Sequence, residues 1–300
     1  MGDERRHYEV VVVGGGPAGC SAGVFTARYG LDTVVFDRGN SSLRRCAYLE
    51  NYLGFPAGIE IDAFYELMRA HLAEAGCERL AEMVESVTRE DGAFVVETQE
   101  GRTVTADRVV AAARYDGSYL RPMDEDRMTT TTEHLGETRE QFDPDYADAD
   151  GRTPIDGLYV AAPAGEMNAQ AILSAGHGAR VARNLIADAR REAGYPDELA
   201  DYWDWVRPEA ERAEEWASRD RWREWFDDRV PDDHPLDGDE LAALREAEVD
   251  RRLDAYVPDD EIDRRAERGY DRLLERIPDD RIEAYLRDRT AAGDADAADD

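Results

Sequence analysis

Six consecutive residues, Gly14-Gly15-Gly16-Pro17-Ala18-Gly19, carry the clearest chemistry in the chain. In the spacing GxGxxG, Gly14 allows a tight turn, Gly16 lets the backbone approach a pyrophosphate, and Gly19 lets a helix pack closely against a strand. With Pro17 and Ala18 they are the candidate residues for the phosphate end of a dinucleotide. Asp37, 23 residues after Gly14, stands where a carboxylate can accept hydrogen bonds from an adenosine ribose.

Those residues act only if strand and helix place them. Glu9 to Val13 form a β-branched run that ends on Gly14, and small and apolar residues continue from the turn to Tyr29 with helical character. Gly30 closes that helix, and a second β-branched run, Thr33 to Phe36, ends on Asp37. The whole is a βαβ unit of the size such units need. Cys20, one residue into the helix, reads as a small packing residue.

The 69 Asp+Glu against 37 Lys+Arg give a formal charge of -32, and every one of those cations is Arg. Such a charge repels phosphate backbones and anionic lipid, which argues against nucleic acid or a membrane as partner. Spread along the whole chain, it fits a salt-adapted cytoplasmic protein, since strong screening relieves self-repulsion. Three widely spaced cysteines, Cys20, Cys46 and Cys77, form no CxxC and suit a reducing cytosol; no metal site is readable. No long apolar stretch suggests a signal peptide or a transmembrane helix.

Further along, Leu49-Glu50-Asn51-Tyr52-Leu53-Gly54-Phe55-Pro56, followed by a helix from about Asp62 to Ala75, resembles the flavin-side loop and helix of the thioredoxin reductase family. Thr153 to Ala162 and Gln170-Ala171-Ile172-Leu173-Ser174-Ala175-Gly176 resemble that family's second flavin-binding stretch. The resemblance spans residues 8–115 and 150–190. It implies an α/β fold, a Rossmann-like FAD-binding domain with a three-stranded β-meander, here built from Val84 to Thr88, Ala93 to Thr98 and Thr103 to Ala113. It also implies FAD as cofactor, Asn51, Gln170 and Ala171 as flavin-side residues, and a homodimer. In the loop helix, Phe64, Leu67, Met68, His71 and Leu72 share one face, so His71 reads as a core histidine, with Gly76 as the stop. Cys46, five residues before Asn51, is a redox-active candidate if it faces the flavin; the alternative is a buried structural cysteine.

The sequence also departs from the family. Neither a second glycine fingerprint nor a CxxC pair lies between the two flavin-side pieces. The polar, acidic connector of residues 117–151 stands in place of an NAD(P)H domain. Pro163 occupies the position of the family's aspartate, where Glu166 or helix amides near Asn168 would have to substitute, and Ala112-Ala113 replace its Thr-Gly. Two functions follow as expectations: an FAD-dependent oxidoreductase whose unknown electron donor or acceptor reaches the flavin directly, or a non-catalytic descendant with a structural or regulatory role.

The expected domains are 1–192 for the dinucleotide fold, 193–290 for an α-helical C-terminal extension, and a disordered tail over 291–300. All five tryptophans fall between Trp203 and Trp225, a small Trp-anchored core or a partner, flavin or dimer contact. Three repeats, Val230-Pro231-Asp232-Asp233, Val257-Pro258-Asp259-Asp260 and Ile277-Pro278-Asp279-Asp280, each read as a helix start, because proline suits the first position and aspartate complements the helix dipole.

Overall fold

A computed structural model describes residues 5–113, 117–134, 137–162 and 170–296. Pro163, Glu166 and Asn168 lie outside the described residues.

The central strand β1 (Arg6–Val13) is flanked by β2 (Thr33–Phe36) and β6 (Thr103–Ala111), both parallel to it. All four residues of β2 are buried, as parallel strands covered on both faces must be. Between β1 and β2 runs α1 (Pro17–Tyr29), closed by Gly30 in the left-handed conformation. The helix α2 (Ile61–Glu74) leads to a short edge strand β3 (Glu78–Leu80), which pairs parallel to β2. The meander β4 (Val84–Glu90), β5 (Ala93–Thr98) and β6 is antiparallel and turns at Asp91-Gly92 and Gly101, all at positive φ. The sheet order is β3-β2-β1-β6-β5-β4. This is the expected Rossmann-like fold with its meander.

The connector is more than a linker. After α3 (Arg121–Met128), the strands β7 (Thr129–His134) and β8 (Glu137–Phe142) form an antiparallel hairpin. Tyr119, Leu120, Met128, Phe142 and Tyr146 are buried against Val11, Val34 and Val109 on one sheet face. The opposite face, Val10, Val12, Val35 and Val110, packs under α1 and α4 (Ala171–Glu192). The chain reaches α4 through β9 (Leu158–Val160), which pairs parallel with the last residues of β6.

His71 is exposed rather than in the core, because the face α2 buries runs through Ile61, Phe64, Tyr65 and Leu72; Gly76, at positive φ, follows the helix end as expected.

Compact units divide the chain elsewhere than at 192/193. The first takes in everything to Val206 and also Ala213–Ala255. Within it, α5 (Asp197–Ala200), α6 (Arg219–Asp227) and α7 (Gly238–Asp254) assemble around Tyr195, Leu199 and Phe226. Trp222 is buried and its indole N–H donates to Trp216 O at 2.9 Å, while Trp203 and Trp205 are exposed. A buried ion pair, Arg190–Glu248 at 3.0 Å, joins α4 to α7. The second unit contains Arg207–Arg212 and the chain from Tyr256. It holds the two-residue pair β10 (Arg207–Pro208) and β11 (Tyr256–Val257), then α8 (Asp259–Leu274) and α9 (Asp279–Asp296).

Two of the three Pro-Asp-Asp repeats start helices, α8 and α9. The first does not, because the side chain of Asp237 caps α7 in a reciprocal box with Glu240 and sets its start there. Helix α9 runs into the tail expected to be disordered, as far as Asp296; residues 297–300 lie outside the described residues.

Gly178 on α4 lies against α1 so closely that a Cβ there would fall on the backbone of Ala18, whereas a Cβ at Gly176 would meet nothing within 4 Å. Gly178→Ala should therefore lose about 1–3 kcal/mol through overpacking, while Gly176→Ala should gain up to about 1 kcal/mol from helix propensity. Thermal unfolding of both variants in molar salt checks the contrast; equal melting temperatures would refute it.

Candidate nucleotide site

The parallel pairing of β1 with β2 brings the glycine turn and Asp37 to the same sheet edge. Gly14 donates its N–H to Phe36 O at 2.9 Å. Its φ of 117° disfavours any side chain, and a Cβ would lie 2.8 Å from the Ala112 carbonyl. A Cβ on Gly15 would collide with the Asp37 carboxylate, and one on Gly19 with the Gly14 carbonyl. Around Gly16 the space is freer, with Ser41 Oγ, the nearest atom, 3.2 Å from where a Cβ would stand. Gly16 is the N-cap of α1 and Pro17 opens the helix; no side chain caps the helix and no acid lies in its first turn. The N-terminal amides of α1, at the positive end of its dipole, are thus not taken by a capping side chain or by an acid of the helix's own first turn.

Asp37 is buried. Its Oδ1 accepts from Gly39 N–H at 2.8 Å, and its Oδ2 lies 3.4 Å from both Arg69 Nη2 and Arg79 Nη1. Burial of a carboxylate is costly without such partners. The two arginines come from α2 and β3, and nothing in the spacing of the sequence singled them out; Arg79 belongs to a three-residue strand too short to read.

The second group forms around the loop 46–60. Leu49 and Ile59 close it with two backbone hydrogen bonds, and Gly58 sits where a Cβ would touch Tyr48 and the Leu49 carbonyl. At its tip, Asn51 Nδ2 donates to Gln170 Oε1 at 2.7 Å, across 119 residues of sequence. Gln170 is the N-cap of α4, and Ala171 packs with Leu49, Ile61, Phe64 and Tyr65. Asn51, Gln170 and Ala171 are therefore together. The crossing at Ala18–Gly178 ties them to Gly14, Gly16, Pro17, Ala18, Gly19 and Asp37: from Gly178 back to Ala171 is two turns of α4, about 11 Å.

Cys46 is exposed, so the reading of it as a buried structural cysteine is corrected; it follows the 3-10 turn Ser42–Arg45. Cys20 and Cys77 are buried. Burial pushes both thiols up to about 12, and Cys20 donates to Gly15 O. His177, which sequence reading did not single out, is buried on α4 with Nε2 unbonded among the described residues; burial lowers its pKa.

Residues 8–132 match the family of pyridine nucleotide-disulphide oxidoreductases. Over 116 residues the chain is 37% identical to a bifunctional thioredoxin reductase/thioredoxin of Mycobacterium leprae, covering 38% of this chain and 25% of that protein. Over 118 residues it is 34% identical to NADPH-dependent thioredoxin reductase 3 of Arabidopsis thaliana, covering 37% and 22%. This stretch is similar to the corresponding part of thioredoxin reductases. A thioredoxin reductase structure from Gloeobacter violaceus shares its fold, with a TM-score of 0.51 at 17% identity over 68% of this chain and all of that one. The match to the two curated relatives spans about a quarter of their length. Among the described residues, no helix of this chain is long and apolar enough to cross a membrane.

The contrast among the thiols gives a simple measurement. A thiol reagent at mildly alkaline pH should modify Cys46 alone in the folded protein, because buried Cys20 and Cys77 hold their protons; all three should react once the chain is unfolded. Rapid modification of two or three thiols in the native state would contradict this assignment.

Proposed function

We propose that the chain is an FAD-dependent oxidoreductase whose electron donor or acceptor reaches the flavin directly, without a dithiol or an NADPH domain of its own. The observation that carries this reading is the Asn51–Gln170 hydrogen bond, which closes the second group of residues beside the first. The residues present fit the coenzyme. A Cβ on Gly14 would fill the turn that approaches the Ala112 backbone, and no side chain caps α1 nor does an acid lie in its first turn.

In this reading Gly16, Pro17 and Ala18 face the pyrophosphate with the first-turn amides of α1. Asp37 retains acceptor capacity for the ribose hydroxyls beyond its present partners, since a carboxylate accepts about four hydrogen bonds. Asn51 and Gln170 hold the flavin edge, and the positive end of α4 favours negative charge there. The bound flavin would supply hydride and electron transfer. Thiol exchange by the chain itself is not part of the proposal, because its three cysteines contain no CxxC. Salt adaptation and a cytoplasmic place belong to it too, supported by the charge of -32.

Pro163 in the place of the family's aspartate favours a second reading, a non-catalytic descendant of the fold. One preparation separates the two. Purified in molar salt, the protein should be yellow or take up added FAD, and anaerobic reductant should bleach it. A colourless product that ignores FAD sinks the oxidoreductase reading, and a bound flavin that no reductant bleaches leaves the structural one. Asn51→Ala, at an exposed position, should raise the dissociation constant for FAD roughly tenfold, about 1.4 kcal/mol, with an unchanged melting temperature of the coenzyme-free protein.

A further inference from the structure

Tyr65 on α2 is 1% exposed, and its hydroxyl has no hydrogen-bond partner among the described residues. A buried phenol left unbonded costs free energy and calls for a partner that the fold itself does not supply. Burial raises its pKa and Ser41 and Arg44 lower it, with Asp37 and Cys20 also close enough to act. Three of these four adjoin the glycine turn. Ser41 Oγ stands 3.2 Å from where a Cβ of Gly16 would be, the Asp37 carboxylate blocks a Cβ on Gly15, and the Cys20 thiol, in the opening turn of α1, bonds Gly15 O. The fourth, Arg44, lays its guanidinium 4.4 Å from the centre of the Tyr65 ring, which holds it against the phenol.

The cluster offers donors. The Tyr65 hydroxyl is uncommitted, Ser41 accepts from Leu43 N–H at 3.5 Å and keeps its own proton to give, and a guanidinium only donates. The first-turn amides of α1, just past Gly16, add to them. The Asp37 carboxylate is already answered by Arg69 and Arg79. Arg44 pairs with Asp62 at 2.7 Å, but that carboxylate is 71% exposed, and such pairs exchange readily. From Arg38 to Leu49 the chain has three arginines and no acid, against a net charge of -32 overall. Donors and positive charge around a helix N-terminus select an anion, and a glycine turn with a ribose acceptor beside it makes that anion a nucleotide phosphate.

We propose that Ser41, Tyr65 and Arg44 clamp the diphosphate of an ADP-bearing ligand, so that the site grips the ADP half whatever the other half is. The inference rests on the coenzyme site proposed above and adds three side chains to the backbone that approaches the phosphates.

Titration calorimetry on the full chain, freed of bound nucleotide and held at one salt concentration, tests it with ADP, FMN and FAD. ADP should bind and compete with FAD, whereas FMN, which carries no ADP, should do neither. Tyr65→Phe and Arg44→Gln should each weaken ADP binding roughly tenfold. The nucleotide-free Tyr65→Phe protein should melt no lower than the wild type, because the substitution removes an unbonded hydroxyl; a lower melting temperature overturns the role given to that group. ADP affinity unchanged in either variant, or competition by FMN as strong as by ADP, overturns the clamp. If FAD binds and both substitutions leave it untouched, the clamp falls and the oxidoreductase reading stands. If ADP binds and responds as expected while FAD does not bind, the clamp stands and that reading falls. A chain that binds neither nucleotide overturns both.

Discussion

The close approach of α4 to α1 at Gly178 and Ala18 is the contact on which the geometry of the site depends. Without a Cβ on Gly178 the two helices meet backbone to backbone, and α4 is fixed along its length relative to the glycine turn. A helix is stiff over such distances, so its N-cap Gln170 has no freedom left: it arrives opposite Asn51. The fingerprint and the closing stretch are separated by some 150 residues of sequence, and one missing methyl group decides that they share a neighbourhood.

The same rod carries a second constraint at its other end. Arg190, 1% exposed, donates to Leu199 O at 3.1 and 2.7 Å and to Glu248 at 3.0 Å, and its guanidinium lies 3.8 Å from the centre of the Tyr195 ring. Glu248, 2% exposed, also accepts from Arg252 at 2.7 Å. Two buried charges are tolerable because nearly every donor and acceptor is used. A lysine could not do this, since one ammonium offers neither the planar fork nor the ring stacking. An all-arginine cation set thus has a structural use: the bidentate Arg152–Asp188 pair, with Tyr159 donating to the same carboxylate, repeats the device on the next turn-and-helix junction. Helix α4 therefore links the candidate site with the helices α6 and α7, inside one compact unit.

Much of this was legible because it is local. A β-branched run ending in a glycine turn announces strand, turn and helix together, and the requirement for glycine at Gly14 is a backbone property that sequence records directly. The Asn51 loop and the Gln170 helix start were readable from family resemblance; that they bond to each other was not, because a hydrogen bond across 119 residues leaves no trace in periodicity. The connector misled for a related reason. Tyr119, Leu120, Met128, Phe142 and Tyr146 are too irregularly spaced to show a period, and acids between them dominate the composition, yet the sheet face they cover is as dry as the one under α1. His71 failed through phase: it lies about 100° from Leu72 on the helix, enough to move it out to solvent.

The topology also explains why the segment between the two halves of the sheet can differ in length. Strands β6 and β9 are adjacent and parallel, Val109 to Leu158 and Ala111 to Val160, so the chain leaves the sheet and returns to the neighbouring position. Only the ends of the intervening segment are fixed. Loop closure grows slowly with length, about 0.6 kcal/mol for each doubling, so a long domain and a short connector are nearly equivalent to the sheet in entropy. What the sheet does require is cover for its second face, since Val11, Val34 and Val109 would otherwise meet water. The connector supplies that cover with its own side chains. A thioredoxin reductase-like half can thus keep its core, its glycine turn and its Asn51–Gln170 bridge whatever chain is spliced between β6 and β9, provided that chain closes the exposed sheet.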